Sequence, residues 1–471
     1  MRLLHAIHDF LPRHRAGSEI YAFELARELS RRADVFVLAA EYDPSVPHGT
    51  IRWRSYEGLV VIEIVNNWQF DRFDETYKSE RINAQLRHVL DATCPDVLHV
   101  HNLLNLSFDL PRMAKQRGIG TVATLHDYTL VCPSGGQRVH VAESHVCDSI
   151  DADRCARCFT QSPLARQMRA ANMTRGITGR LIGRTGRAAF KVAPGLATSI
   201  LQAVNRPEIS DGDIRRRLGY ARQVFESIDL FVAPSRSMAE EFCKLGLARD
   251  RVVVSDYGFR PPSRSPAMGV TGPASRWTTD VTGRNAGDEL LRIGYVGTLV
   301  WHKGVHVLIE ASQKLRGRYE LRIHGDPAVF PDYVAALRKA AASSAVVFAD
   351  GFDRHRVDDV YERLDVLVVP SLWPENSPLV IHEAFMHRIP VVAARVGGIP
   401  ELVSHEINGL LYEPFDTESL AAALQRLIDD RGLRAKLAAR VCTVKSIEQD
   451  AREWEERYQR VCRPAEVHAW T

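Results

Sequence analysis

Runs of nearly uninterrupted apolar residues, each followed by a stretch with helical spacing, recur along this chain and limit what it can fold into. "RLLHAI" (2–7) precedes "GSEIYAFELARELSRR" (17–32), and then come "DVFVLAA", "LVVIEIV", "DVLHVH" and "TVATLHD". Within the helical piece, Tyr21, Leu25 and Leu29 recur every fourth residue and make one apolar face. Strands that are apolar on both faces and alternate with helices belong to a parallel sheet covered on both sides. "IDLFVAPS" and "RVVVSDYG" end this first series. Residues 261–290 are rich in Pro, Gly, Ser and Thr, a linker composition. The rhythm then restarts with "LRIGYVG", "GVHVLIEASQKL", "YELRIHG", "AVVFADG", "LDVLVVP" and "IPVVAA". The expectation is α/β: two Rossmann-like, doubly wound parallel-sheet domains with a ligand cleft between the C-terminal ends of their strands.

A length of 471 residues suits two such domains. The boundaries read as an N-terminal domain 1–260 with an inserted Cys-rich and basic helical region at about 132–220, the linker 261–290, a second domain 291–445, and a charged helix 446–471 crossing back. A net charge of +3 gives no nucleic-acid signature. No apolar run is long enough to span a bilayer, and "MRLLHAIHDF" reads as a buried first strand rather than a signal peptide. These features predict a cytoplasmic protein.

The chemistry concentrates in "PENSPLVIHE" (374–383). A buried strand ends at Pro370, a loop follows, and Ser377 as N-cap with Pro378 at the first helical position would start a helix. The free N–H groups of that helix favour an anion. Glu383 lies about 7 to 8 Å further along at ~1.5 Å per residue. It is too deep to share the anion's place but suited to the vicinal hydroxyls of a ribose. Glu375 would lie on the other side of the phosphates, toward a sugar. Upstream, Gly297 permits a tight turn after a strand, and Lys303 brings positive charge to a diphosphate. Gly397 and Gly398, after a third strand, would let a ligand approach the main chain. Singly, each has a bland reading as capping charge or ordinary turn; their meeting at one sheet edge favours a nucleotide-diphosphate sugar.

These residues resemble the E-x7-E motif of retaining family-4 glycosyltransferases of the GT-B fold (glycosyl transferases group 1). "YVGTLVWHKG", "VVPSLWPENSPLVIHEAF" and "IPVVAARVGGIPELV" continue the resemblance through 291–412; "RAGSE" (15–19), "DVLHVHN" and "TLHDYTLVCP" extend it more loosely into the first domain. The resemblance implies that Glu383 holds the ribose, Glu375 faces the donor sugar and Lys303 neutralises the diphosphate. It also implies that the main chain of Asn376, Ser377, Pro378 and Leu379 lies against phosphate and sugar, with N–H groups available from all but Pro378, and that His126 contacts the sugar near the reacting carbon. Gly17 and Gly297 fall among the donor-binding positions. Thr298 stands where many members carry Arg, which shifts leaving-group stabilisation toward Lys303 and the helix N-termini. The implied reaction is transfer from a UDP-, GDP- or ADP-sugar to a glycan, lipid-linked or small-molecule acceptor, with retention and without a catalytic metal, in polysaccharide or glycolipid biosynthesis. A sugar-nucleotide hydrolase or epimerase and a non-catalytic nucleotide-sugar-binding subunit are the alternatives. "DAD" (151–153) and "DGD" (211–213) imitate a metal-binding D-x-D, yet neither follows a buried strand. "GRLIGRTG" (179–186) lacks the spacing and the preceding strand of a dinucleotide motif.

Two features stand outside that site. Cys132, Cys147, Cys155 and Cys158 read C-x14-C-x7-C-x2-C, a spacing open to a structural zinc ion, ordinary loop thiols or a disulfide. Residues 161–200 carry seven basic side chains, Arg166, Arg169, Arg175, Arg180, Arg184, Arg187 and Lys191, and no acid. That segment reads either as a solvated helical face or as a peripheral contact with the inner face of an anionic membrane.

Overall fold

The computed structural model describes residues 1–173, 209–262, 290–342, 345–349 and 357–462. They divide into two compact units. Unit 1 comprises Met1–Pro234, Ala239–Ser255 and Ile447–Thr471; unit 2 comprises Ser235–Met238 and Asp256–Ser446. Most of the basic segment (174–200), "GRLIGRTG" and most of the linker (263–289) lie outside the described residues.

The strands of unit 1 are β1 (Arg2–Ile7), β2 (Asp34–Glu41), β3 (Ile51–Tyr56), β4 (Leu59–Val65), β5 (Val97–Val100), β6 (Gly120–Thr124), β7 (Val139–His140), β8 (His145–Val146), β9 (Leu230–Ala233) and β10 (Val252–Val254). Eight of them form one sheet in the order β10-β9-β6-β5-β1-β2-β4-β3, and β7 and β8 form a separate hairpin. Leu3, Leu4, Ala6 and Ile7 of β1 are fully buried between neighbours on both edges, which is why that run carries no surface alternation. The helix Gly17–Leu29 buries Tyr21, Leu25 and Leu29, as the spacing predicts. One edge strand escapes the apolar pattern: β3, "IRWRSY", runs antiparallel to β4, with Arg52 opposite Glu63. Charges pairing along an edge replace apolar burial there. The helix Ile447–Cys462 belongs to unit 1, where Trp454 and Tyr458 are fully buried. Trp454 Nε1 donates to Tyr21 Oη at 2.9 Å, and Tyr21 in turn donates to Asp450 at 2.8 Å.

Unit 2 holds β11 (Leu291–Val296), β12 (Tyr319–His324), β13 (Val346–Ala349), β14 (Val366–Val369), β15 (Val391–Ala394) and β16 (Gly409–Tyr412), all parallel, in the order β13-β12-β11-β14-β15-β16. Strand order reverses between β11 and β14. The loops leaving the C-terminal ends of the strands on either side of such a reversal are the usual ligand position of these sheets. The loops in question are 297–304 and 370–378.

Candidate functional site

In unit 2 three strand-to-helix loops are fastened to one another. The loop after β14 is largely buried, and its Leu372 N–H donates to His302 O at 2.8 Å. Gly304, at φ +72°, permits this approach: a Cβ there would sit 1.8 Å from Pro370 O. On the other side Gly398 N–H donates to Glu375 O at 2.7 Å. Added Cβ atoms would stand 2.2 Å from Glu375 O at Gly397 and 1.9 Å from Asn376 O at Gly398. The sequence reading assigned these two glycines to ligand approach; they admit the chain's own 374–376 backbone instead. Gly297 makes the expected turn at φ +153°, beneath Tyr295 Oη, which donates to Thr298 O at 2.8 Å. Thr298 itself is exposed.

The fastening brings Lys303 against Glu375, Nζ to Oε1 at 2.6 Å. Ser371 Oγ donates to the same oxygen at 2.6 Å, and the Lys303 ammonium lies 5.2 Å from the Trp373 ring centre. Burial on its own would raise the Glu375 carboxyl. The Lys303 charge and the hydrogen bonds from Lys303 and Ser371 outweigh it and hold the group below its ordinary value. Glu375 is therefore a buried carboxylate with a fixed cation beside it.

The following helix runs Leu379–Met386, with extended Pro378 as its N-cap and no side-chain cap. This corrects the placing of Ser377 as cap and Pro378 as first helical residue. Ser377 Oγ is committed elsewhere, donating to Asp256 Oδ1 at 2.6 Å and lying 2.9 Å from His382 Nε2. Asp256 Oδ2 is 3.3 Å from that nitrogen, and Phe259 stacks on the His382 ring. Asn376 accepts its neighbour's N–H, from Ser377, at 2.7 Å. With no side-chain acceptor over the helix start, its first amides are left for an incoming group. One turn in, buried Glu383 accepts from Tyr361 Oη at 2.8 Å, and His387 packs on the Tyr361 ring. The sequence reading missed Ser371, Tyr361, Asp256 and His382. Their partners lie 4 to 121 positions away, and only folding pairs them.

In unit 1, His126 follows β6 and ends a line of buried imidazoles. His5 Nδ1 lies 3.0 Å from His101 Nε2, and His101 Nδ1 lies 3.0 Å from His126 Nε2. His99 meets Tyr458 Oη and Thr124 Oγ1 at 2.7 and 2.8 Å. His5, His99 and His101 bring ring nitrogens within 4.8 Å of one another, but these bonds occupy all of them except His5 Nε2, so the set is a hydrogen-bond network rather than a metal centre. A buried acceptor without a partner is tolerated better than a buried donor. The protons therefore run from His5 Nδ1 to His101 and from His101 Nδ1 to His126, leaving His126 protonated on Nδ1. Burial, then the nearby His8, pushes His126 down to about 3, so the ring is neutral. Gly17 opens its helix next to Ser18, which donates to Glu19; the other Glu19 oxygen lies 3.4 Å from His8. The D-x-D look-alikes are helix caps: Asp151 accepts from Arg154 N–H, and Asp213 completes a capping box with Ser210.

The family model Glycosyl transferases group 1 matches residues 282–441, and the model Glycosyltransferase Family 4 matches residues 15–168. The chain belongs to the family-4 glycosyltransferases of the GT-B fold. Among curated relatives of this glycosyltransferase-family chain, a D-inositol 3-phosphate glycosyltransferase from Xylanimonas cellulosilytica is 31% identical over 249 residues, covering 50% of this chain and 58% of the relative. An alpha-D-kanosaminyltransferase from Streptomyces kanamyceticus is 31% identical over 147 residues, 31% of this chain and 38% of the relative. The chain thus spans about half the length of the curated relatives it matches first. Among solved structures, a sucrose-phosphate synthase from Thermosynechococcus elongatus superposes with TM-score 0.62 at 17% identity, covering 98% of both chains. Anabaena Alr3699/HepE in complex with UDP and glucose superposes with TM-score 0.61 at 16% identity, covering 98% of this chain and 100% of its own. These two share the fold. Among the described residues no helix is long and apolar enough to cross a membrane.

Proposed function

We propose that this chain is a retaining glycosyltransferase that moves a sugar from a nucleoside-diphosphate sugar to a hydroxyl of a glycan, lipid-linked or small-molecule acceptor, with no metal ion in the catalytic step. The observation that carries the reading is the geometry at the β11/β14 switch point. A lysine held by a buried carboxylate and an uncapped helix start provide for a diphosphate, and a second buried carboxylate one turn deeper provides for a ribose.

The residues then take distinct tasks. Lys303 and the first amides of the helix Leu379–Met386 stabilise charge growing on the departing diphosphate. Glu383 accepts from ribose hydroxyls while Tyr361 fixes its carboxylate. Glu375 is committed to Lys303 and Ser371, which favours its use in placing charge and sugar over its use as a nucleophile. Retention then proceeds on one face. The acceptor oxygen bonds to the anomeric carbon as the carbon–phosphate-oxygen bond breaks, and the acceptor's proton passes to the leaving phosphate. His126, neutral and protonated on Nδ1, is suited to donate to a sugar hydroxyl without repelling positive charge on the sugar.

The test is ligand-induced thermal stabilisation by UDP, GDP and ADP and their sugar conjugates, on wild type and Glu383→Ala. UDP comes first because a structure of this fold is bound to it. A shift with one nucleotide series, largely lost in Glu383→Ala, supports the donor site and names the base. Transfer from that donor to an acceptor, with the product anomer read by NMR, then separates transferase from binder. No shift with any series from folded protein would refute the donor site.

A further inference from the structure

Cys132, Cys147, Cys155 and Cys158 fall in the part of unit 1 that follows His126, on a short hairpin and one helix. Cys132 closes the loop after β6, its N–H donating to Tyr128 O at 2.7 Å. In the hairpin, Val139 pairs with Val146, and Cys147 comes directly after β8, with its N–H on Arg138 O at 2.7 Å. Cys155 and Cys158 lie one turn apart on the helix Ala152–Gln161, so they share a face. Cys158 Sγ lies 3.9 Å from Val139 O, which brings that face to the hairpin. All four thiols are partly buried and none is in a disulfide. The backbone between them is costly: Arg138 and Ser144 are held at φ +52° and +49°, a region few side chains adopt without external support.

Charge around the four is unbalanced. Arg217 is buried, its guanidinium donating to Thr129 O at 2.6 Å and Leu130 O at 3.0 Å, and lying over the Phe108 ring. Arg217 therefore puts a buried positive charge, with no carboxylate partner among the described residues, against the loop that carries Cys132, a setting that favours an anionic centre. A zinc tetrathiolate carries net charge −2, and adjacent cations and N–H donors stabilise such centres.

We propose that Cys132, Cys147, Cys155 and Cys158 bind one structural zinc ion as a tetrathiolate. Each thiol gives up its proton to solvent as its Zn–S bond forms, with no change of oxidation state. Among the described residues, the triads of ligand atoms within 4.8 Å of one another are His5/His99/His101 and His8/Asp9/Glu19, so the proposal requires the four sulfurs to draw closer together on binding. The ion would brace the loop that carries His126, at one remove from the chemistry.

The full chain, expressed with zinc in the medium and purified without chelator, is assayed for metal by plasma mass spectrometry. The expected content is about one zinc per chain, falling at least fivefold in Cys155→Ser/Cys158→Ser and unchanged in Cys243→Ser/Cys462→Ser. So that a loss of fold in the first variant does not decide the matter, a mercurial titration of native wild type is run in parallel with a chromophoric chelator. The chain has eight free thiols, four of them outside the cluster, so release of one zinc with about four thiols beyond those that react without releasing metal supports the site. Wild type without zinc above the buffer level would overturn it. So would a mass short by two or four hydrogens, which marks disulfides, or zinc retained in the Cys155/Cys158 variant.

Discussion

Replacing Lys303 by Met keeps an aliphatic stem over Trp373 and removes the charge that holds Glu375. Glu375 is 4% exposed, so its carboxylate would be left in a poorly solvated place with Ser371 as the donor remaining at that oxygen. Breaking a buried pair from one side costs about 3 kcal/mol or somewhat more, and the sign of its pH dependence is diagnostic. In wild type the folded Glu375 value lies below the unfolded one. The pair's contribution is thus present above the unfolded value and lost as pH falls through the folded value. In Lys303→Met, burial, the largest cause, is opposed only by the hydrogen bonds from Ser371 and Trp373, and the folded value is expected to move above the unfolded one. The variant's deficit is then full at pH 7 and shrinks as the pH approaches the ordinary carboxyl range near ~4.3. Two units need not unfold together, so the readout is hydrogen exchange of peptides covering residues 371–386, corrected for intrinsic rate, at pH 7 and pH 5. Lys303→Met/Glu375→Gln removes the stranded charge and should recover about 2 kcal/mol of the local loss at pH 7. A single variant whose deficit is equal at both pH values, or a double variant no better than the single, would refute the account of Glu375 as a carboxylate kept charged by Lys303.

Gly397→Ala forces a Cβ to within 2.2 Å of Glu375 O at φ +58°. A local loss of about 2–4 kcal/mol, with nucleotide binding weakened alongside it, is expected by the same exchange measurement and by calorimetry. Tyr361→Phe deletes the hydroxyl that donates to Glu383 and should weaken nucleotide binding about fivefold, the equivalent of ~1 kcal/mol, with the fold intact by circular dichroism. His5 and His126 have folded values of about 3, well below the ordinary 6.5. Their burial therefore costs nothing above pH 6.5 and opposes folding increasingly as pH falls from there toward 3. At pH 5 the loss is about 2 kcal/mol for each histidine, readable as faster corrected exchange of peptides covering 97–101 and 120–126. Nitrogen-15 NMR of histidine-labelled protein should show His126 as the Nδ1–H tautomer; an Nε2–H signal would reverse the direction of the imidazole chain.

Much of the fold was legible because parallel sheets write a distinctive text. "LLHAI", "VFVLAA" and "VLVV" are apolar at consecutive positions since both faces of β1, β2 and β14 are covered, and helices with a four-residue apolar repeat separate them. The elements that escaped are those where another force replaces burial. In β3 the ion pairs of Arg52 and Arg54 with Glu63 stand in for apolar contact, and a pattern search for hydrophobes passes over it. The short edge strand β16, "GLLY", carries too few residues to show a period.

The site was legible in its residue types and less so in its connections. Lys303 and Glu375 were assigned to different parts of one ligand, and the fold also makes them each other's partners at 2.6 Å. No spacing rule links positions 303 and 375, because the link runs through two loops that meet only after β11 and β14 pair. The glycines make the same point with the sign reversed. Gly397 and Gly398 were recognised as places where something comes close to the main chain, and the fold adds Gly304 to them. What comes close is the backbone of Pro370 and of Glu375–Asn376. These glycines dock the loops together and so set where the Lys303 ammonium and the first amides of the helix Leu379–Met386 stand. On the proposed reading a diphosphate at these loops would meet positive charge already in place, and the cost of ordering the loops would fall on folding and not on binding.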